Sequence, residues 1–284
     1  MYARIRDHRC GEPYRQRLEQ MWLVYRDYAP KGFRKKLQFE FHQRWWEMYL
    51  TVGLHRLGFS ISTSSRDDKP DLLLKLGNTK VWIEAITPTP GTKSDAVPKL
   101  VVNGVEDLPM RECLLRFTQA ITAKRDVFNR YIQRGIVSET DCFIIALSAC
   151  NLNQFGSLLD WPQHVMLRVL AGAGDLTIPL RKSASAYFKR QNVIFRDSGS
   201  PVDLSLFYSD EFTLISGVLY SKDDPLNALL APETSLELFL NPNSKVEVPR
   251  AITKKLTTWS EERATREEIR WKRTQPTISA DGVV

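Results

Sequence analysis

Histidine and cysteine, the side chains that most often bind zinc, are scarce in this sequence. Each occurs four times in 284 residues. No two cysteines form a CxxC pair, and the histidines show no ligand spacing with them, so the sequence predicts no zinc site. A chain of this length needs no disulfide bonds to hold a core. We therefore expect its cysteines to be reduced thiols in a cytoplasmic protein.

Long hydrophobic runs are also missing. The longest candidates, residues 21–25 and 143–147, fall far short of the roughly 18 apolar residues that a membrane-spanning helix requires. The N-terminus has charges but no apolar segment behind them, so it does not look like a secretory signal. With 43% apolar and 26% charged residues, the composition is typical of a soluble globular protein. We expect neither a membrane partner nor a fibrous or wholly disordered chain.

Several catalytic signatures are absent as well. The sequence contains no GK[ST] phosphate loop, no GxSxG nucleophile elbow and no HExxH metal motif. Gly172 and Gly174 begin a GxGxxG pattern, but Thr177 occupies the position of the third glycine. These absences argue against the nucleotide-binding, serine-hydrolase and metalloprotease classes that those motifs mark.

Basic residues are concentrated at the N-terminus. Residues 1–36 contain ten Lys and Arg against four Asp and Glu, which accounts for +6 of the net charge of +7. A basic segment beside a nearly neutral body favours an acidic partner, and nucleic acid is the leading candidate. A solvated basic surface without any partner is the alternative.

Residue periodicity predicts an α/β protein in which helices cover the faces of a small sheet. The first half of the chain gives the order helix, three strands, helix, strand, and Gly77-Asn78 predicts a hairpin between the second and third strands. The predicted helices are 13–28, 34–57, 109–134 and an exposed C-terminal helix at 251–273, where Glu262 and Arg266 are four residues apart. The predicted strands are 59–63, 71–76, 80–86 and 141–148, followed by weaker candidates at 165–170, 193–195, 204–207 and 212–220.

Asp71 and Glu84 are the first candidate site residues. Asp71 starts one arm of the predicted hairpin and Glu84 lies near the end of the other, so antiparallel pairing brings them together. Two adjacent carboxylates repel each other unless a cation lies between them, and carboxylate oxygens are ligands that Mg²⁺ favours. Glu84 shares its strand face with Trp82 and Ile86, so we expect it to be covered and to need a cation or a metal. The alternative is that Asp71 only forms a turn and Glu84 faces solvent.

Lys124 is the second unusual position. At about 100° per residue, it falls within the apolar stripe of the predicted helix 109–134, between Ile121 and Phe128. A lysine on the core-facing side of a helix is costly unless its ammonium group meets an anion. Lys124 therefore either snorkels to the edge of the sheet or reaches the carboxylate end of the hairpin.

These features resemble the PD-(D/E)XK nuclease superfamily, which has the restriction-endonuclease-like fold. The likeness is carried by Pro70-Asp71, twelve intervening residues and the sequence EAI at 84–86, by Glu47 on the preceding helix, and by the order of helices and strands. The resemblance implies an αβββαβ core at 34–150, a mixed sheet flanked by helices. Around this core it implies a nuclease-like domain at 34–250, a basic helical extension at 1–33, a β-rich elaboration after the core, and a C-terminal helix and tail at 251–284.

The resemblance also implies a Mg²⁺- or Mn²⁺-dependent nuclease, with DNA favoured over RNA as the substrate. Asp71 and Glu84 would bind the metal, Glu47 would assist, and Lys124 would orient water and stabilise charge at phosphorus. Ile86 stands where the family motif has its lysine, so Lys124 is the expected replacement from the next helix. If Lys124 does not reach the site, a degenerate module that only binds nucleic acid is the alternative. A third possibility is an interaction protein with a structural acidic pair.

Basic residues outside this cluster are candidate phosphate contacts. They are Lys35, Lys36, Arg66, Lys69 and Arg116. Each is alternatively an ordinary solvated surface charge. A second copy of the chain, in a homodimer, is a further candidate partner.

Overall fold

Helices cover both faces of a long mixed β-sheet in the computed structural model of the chain, which describes residues 1–8, 11–63, 68–99, 107–152, 160, 164–178, 180, 186–226, 231–265 and 268–277. Seven α-helices lie within these residues: α1 (Tyr2–Asp7), α2 (Glu12–Tyr25), α3 (Phe33–Phe39), α4 (Phe41–Arg56), α5 (Met110–Gln133), α6 (Val165–Ala171) and α7 (Arg250–Thr253). The same residues contain twelve strands: β1 (Ile61–Thr63), β2 (Leu72–Leu76), β3 (Thr79–Ile86), β4 (Cys142–Ser148), β5 (Ala173–Thr177), β6 (Tyr187–Arg190), β7 (Val193–Phe195), β8 (Pro201–Asp203), β9 (Gly217–Ser221), β10 (Glu237–Leu240), β11 (Thr257–Ala264) and β12 (Glu268–Thr274).

The first half of the chain follows the predicted order, α4, β1, β2, β3, α5, β4. A turn at Gly77-Asn78 joins β2 and β3 in the predicted antiparallel hairpin, with Leu72 opposite Ile83. β3 and β4 are parallel, and such a pair needs a crossover connection, which α5 provides. The α/β class and the mixed sheet flanked by helices are therefore confirmed.

Ten of the described strands form one sheet, in the order β1-β2-β3-β4-β9-β10-β11-β12-β6-β5, and β7 pairs with β8 separately. β4 lies inside the sheet and all seven of its residues are buried, because α4 packs on one face and α5 on the other. Trp45 and Trp46 of α4 are almost fully buried on the first face, and Phe117 and Phe128 of α5 are buried on the second. Within the described residues no helix is both long and apolar enough to cross a membrane.

Several predicted elements differ in the structure. The helix predicted at 34–57 is divided into α3 and α4, because Glu40 leaves the helical conformation with φ −116°. The strand predicted at 165–170 is the helix α6. A short apolar run fits either structure; here His164 caps the N-terminus by accepting from the Met166 amide, and Gly172 ends the helix in a left-handed conformation. The strand predicted at 204–207 is replaced by a 3₁₀ turn at Leu206–Tyr208.

The C-terminal helix predicted at 251–273 is wrong. Among the described residues of this stretch α7 alone is helical, and the chain continues as the antiparallel strands β11 and β12. Ile269 and Trp271 alternate with polar residues and pack against the core, and this two-residue period outweighs the exposed pair of charges that favoured a helix. Residues 278–284 of the predicted tail lie outside the described residues.

The cysteines that the structure describes, Cys113, Cys142 and Cys150, are free and buried. Burial raises the pKa of Cys113 to about 12 and that of Cys142 to about 11. Cys10 lies outside the described residues.

Candidate active site

Lys124 and Glu84 form an ion pair in a pocket of about 360 Å³ between α4, α5 and the β2–β3 hairpin. The Lys124 Nζ donates to Glu84 Oε1 at 2.7 Å, and the two side chains are 18% and 6% exposed. Lys124 points into the core side of α5, as its place in the apolar stripe predicts. The ammonium group is stable there because it meets the carboxylate of β3 rather than hydrocarbon.

Asp71 lies opposite Glu84 across the hairpin. Because Leu72 pairs with Ile83, extending the antiparallel register by one residue places Asp71 against Glu84. Asp71 Oδ2 accepts a hydrogen bond from the Ala85 amide at 2.8 Å. This bond fixes the aspartate at the C-terminal part of β3, beside the ion pair.

Glu47 enters the same pocket from α4. Its carboxylate accepts from Arg44 at 2.7 and 2.9 Å and from the Gln43 amide at 3.1 Å. The other end of the Gln43 side chain accepts from the Thr87 amide at 3.0 Å. Gln43 therefore ties Glu47 to the end of β3, the strand that carries Glu84.

The three acidic side chains affect one another's ionisation. Burial, followed by the nearby charge of Asp71, raises the pKa of Glu47 to about 7 and that of Glu84 to about 7. The cations Arg44 and Lys124 act against these shifts. Both glutamates therefore release their protons less readily than an exposed glutamate does.

The ligand chemistry of these carboxylates suits a divalent cation. Glu84 Oε2 is buried and accepts no hydrogen bond from the described residues, and a buried carboxylate oxygen without a partner is costly. Carboxylate oxygens are hard ligands of the kind that Mg²⁺ and Mn²⁺ prefer. However, no three His, Cys, Asp or Glu side chains in the described part of the chain converge closely enough to hold one ion. In this arrangement Glu47 forms an ion pair with Arg44, and Glu84 forms an ion pair with Lys124.

The candidate phosphate contacts fall into three groups. Lys36 and Lys69 line the pocket and are exposed. Lys35 and Arg116 do not line it: Lys35 is exposed on α3, and Arg116 donates to the Asp95 carbonyl at 3.0 Å and so holds the loop before α5. Arg66 lies outside the described residues.

The pocket is also lined by residues that no sequence motif indicates. Four of them carry polar or charged groups toward the acidic residues or the rim: Gln43, Arg44, Lys31 and Tyr131. Gln43 and Arg44 precede Glu47 by four and three residues, and this spacing puts them on its helix face. Tyr131 follows Lys124 by seven residues, which is two helical turns. Its pKa is raised by burial and then by the charges of Glu84 and Asp71. Helical spacing from Glu47 and Lys124 was thus a usable signal for three of the four.

No family model, no curated protein and no solved structure matches this chain. The geometry and chemistry of the pocket therefore carry the functional conclusion.

Proposed function

We propose that the protein is a nuclease that hydrolyses phosphodiester bonds in DNA with the help of Mg²⁺ or Mn²⁺. The observation that carries this proposal is the contact between the inward-pointing Lys124 and Glu84, directly opposite Asp71. A lysine and two carboxylates at one point match the groups that the resemblance to PD-(D/E)XK nucleases implies. Lys124 supplies from α5 the ammonium group that the motif lysine, replaced here by Ile86, would supply from β3.

Each residue has a definite task in this proposal. Asp71 and Glu84 hold the metal, and Glu47 assists from α4. When bound, the ion lowers the pKa of a water molecule and neutralises the phosphate. Lys124 lies beside the reacting phosphate, where it orients the attacking water and stabilises the negative charge that develops on the phosphate oxygens.

Lys31, Lys36 and Lys69 form the basic rim of the pocket. Their exposed ammonium groups suit contacts with phosphates on either side of the scissile bond, which position the strand without selecting its sequence. The remaining positive charge of residues 1–36 increases the attraction for DNA at long range.

A module of the same fold that binds nucleic acid without cutting it is the second candidate. The observation that favours it is the engagement of Glu47 by Arg44 and of Glu84 by Lys124. If these ion pairs persist when DNA is bound, the carboxylates are not available to a metal.

Cleavage of plasmid and labelled duplex DNA tests the proposal. The protein is incubated with Mg²⁺, with Mn²⁺, or with a chelator, beside Asp71→Asn, Glu84→Gln and Lys124→Met. Removing a group that stabilises the transition state costs about 100- to 1,000-fold in rate, so we expect a loss of at least that size in each variant. Asp210→Asn and Lys80→Met are matched controls, because both residues are exposed and neither lines the pocket; these variants should cut normally.

The outcomes separate the candidates. Metal-dependent cutting that disappears in Asp71→Asn and Glu84→Gln supports the nuclease. Salt-sensitive binding by a wild-type protein that never cuts supports the non-catalytic module. Normal cutting by Lys124→Met would contradict the role given to Lys124, even if the two acidic residues proved essential.

A further inference from the structure

A second cavity, of about 610 Å³, lies toward the opposite end of the sheet from β3, where α6 faces β6, β11 and β12. Four aromatic side chains form much of its wall: Trp259 and Trp271 from β11 and β12, and Tyr187 and Phe188 from β6. A cavity of this size lined by aromatic rings and a few polar groups is typical of a site for a small planar ligand. The proposed active site does not use it.

Both tryptophans are held rigidly from behind. The Trp259 ring stacks on Phe239 with the ring centres 5.7 Å apart and the planes 4° apart, and Trp271 stacks on Phe207 with the ring centres 6.3 Å apart. Both phenylalanines are fully buried. Trp259 also donates its indole N–H to Glu237 Oε2 at 2.6 Å. Aromatic walls fixed in this way lose little conformational entropy when a ligand stacks on them.

The Lys and Arg residues that line the cavity equal the Asp and Glu residues in number. Three cations and three anions line it: Lys222, Arg270, Arg273, Asp160, Glu237 and Glu262. Arg273 donates to Glu237 at 2.9 Å, so this pair neutralises itself. Lys222 lies 3.5 Å from Asp160, and Arg270 lies 3.6 Å from Glu268. Because these charges are already paired, the cavity suits an uncharged planar ligand rather than a phosphate or a metal ion.

The sheet places this cavity on the same face as the candidate active site. Across the ladders, Glu84 pairs with Ile145, which pairs with Val218; Val218 pairs with Phe239, which pairs with Trp259. Paired residues point to the same face, so Glu84 and Trp259 lie in one row, four strand spacings apart. At about 4.8 Å per strand the straight-line separation is about 19 Å, which about six nucleotides of a B-form strand span. Ile145, Val218 and Phe239 are fully buried, so a nucleic-acid strand that reaches both places passes over the helices that cover this row and needs a longer path.

We propose that the aromatic cavity binds one unpaired nucleobase of the nucleic acid whose backbone passes through the candidate active site. This inference rests on the proposed function and adds to it a contact that reads a base. Bases stack on aromatic side chains whatever their sequence, and a base carries no net charge that the paired groups of the cavity would have to neutralise. The base must be single-stranded or turned out of its helix to enter.

The test compares a short labelled single strand of DNA with a strand of the same length that carries abasic sugars throughout. Binding is measured by fluorescence anisotropy in the presence of a chelator, so that cleavage does not interfere. Loss of one stacking contact weakens binding by about 5- to 150-fold. We expect Trp271→Leu to weaken binding of the base-bearing strand within this range and to leave the abasic strand within about twofold of wild type.

Two further variants complete this test. Tyr187→Ala removes a second aromatic side chain from the cavity. It replaces Trp271→Leu in the comparison if Trp271→Leu melts at a lower temperature than the wild type. Trp22→Leu is the matched control, because Trp22 also stacks on a buried phenylalanine, Phe33, with ring centres 5.8 Å apart, but does not line the cavity. An equal loss for both strands, or no loss in either cavity variant, overturns the inference.

Adenosine separates this inference from the proposed function. Saturation-transfer NMR should detect contact between the protein and the adenine protons of adenosine, and Trp271→Leu should abolish it, whereas ribose 5-phosphate should not compete. If the protein binds adenosine in this way but never cuts DNA, the base site is supported and the nuclease proposal is wrong. If the protein cuts DNA but gives no adenosine signal, the nuclease is supported and the base-site proposal is wrong.

Discussion

The stability of Glu84 as a buried carboxylate depends on Lys124. Glu84 is 5% exposed, and its pKa is raised to about 7 by burial and by Asp71, although Lys124 acts against the shift. In the unfolded chain a glutamate has a pKa of about 4.3. A folded pKa above the unfolded one means that the protonated form favours folding, so stability falls as the pH rises from about 4 through 7.

Lys124→Met should therefore destabilise the fold in a pH-dependent way. At pH 8 the variant either leaves an unpaired buried carboxylate or protonates it at a cost, and we expect the free energy of unfolding to fall by about 3 kcal/mol. Near pH 4, Glu84 is protonated in the folded state and mostly protonated in the unfolded state, so the difference between the variant and the wild type should be small. Urea denaturation at the two pH values measures this. Lys80→Met is the control, and a cost for Lys124→Met that is equal at both pH values would contradict the ionic role of the pair.

Three of the four candidate catalytic residues were accessible from local patterns. A two-residue turn fixes the register that sets Asp71 against Glu84, and the helical period of 3.6 places Lys124 among buried residues. The sequence does not give the cation that pairs with Glu47, because Arg44 takes its role from the packing of α4 over the end of β3. The three-residue spacing shows that Arg44 and Glu47 share a helix face, but it does not show that this face lines the pocket.

At the scale of the elements, helices and strands were predicted correctly where a segment keeps one hydrophobic period throughout. They were predicted wrongly where helical and strand periods are both present in the same segment. α5 and β4 were predicted almost to the residue, because the helix has a long apolar stripe and the strand is an unbroken apolar run. β11 and β12 were missed. Their alternation is interrupted by an irregular register between Glu261 and Arg263, and such a bulge shifts the polar and apolar positions by one. The four-residue spacing of Glu262 and Arg266 then favoured the prediction of an exposed helix.

The position of each strand in the sheet predicts how strongly its backbone amides are protected. β4 has partners on both sides and is buried throughout, so its amides should exchange only when the whole protein unfolds. β1 has three residues and lies at one edge of the sheet, so local opening is enough to expose it. Native-state hydrogen exchange should show β1 amides exchanging at least about 100-fold faster than those of β4. Equal protection of the two strands would mean that β1 is covered by something beyond the hairpin.

At the scale of the whole molecule, two features support the proposed contact with a nucleic-acid strand. Glu84 and Trp259 lie in one row on one face of the sheet, and the basic rim of the first pocket lies where the N-terminal helices meet the β2–β3 hairpin. Local sequence patterns reveal the charge but not this arrangement, because the row crosses strands β3, β4, β9, β10 and β11, which are far apart in the chain. Long-range pairing of this kind is set by tertiary packing.

The salt dependence of DNA binding shows whether the basic residues act through the pocket or only through net charge. Each phosphate contact contributes about 0.9 to the slope of log K against log salt concentration for duplex DNA. Lys36 and Lys69 line the pocket, so Lys36→Ala and Lys69→Ala should each reduce the slope by about 1. Lys35→Ala is the closest available control: Lys35 is the neighbour of Lys36 on α3, is equally charged and exposed, and does not line the pocket. Anisotropy titrations in a chelator should show little change in slope for Lys35→Ala. If all three variants reduced the slope alike, DNA would be held by the diffuse charge of the N-terminal segment, and the pocket would no longer define the path of the strand.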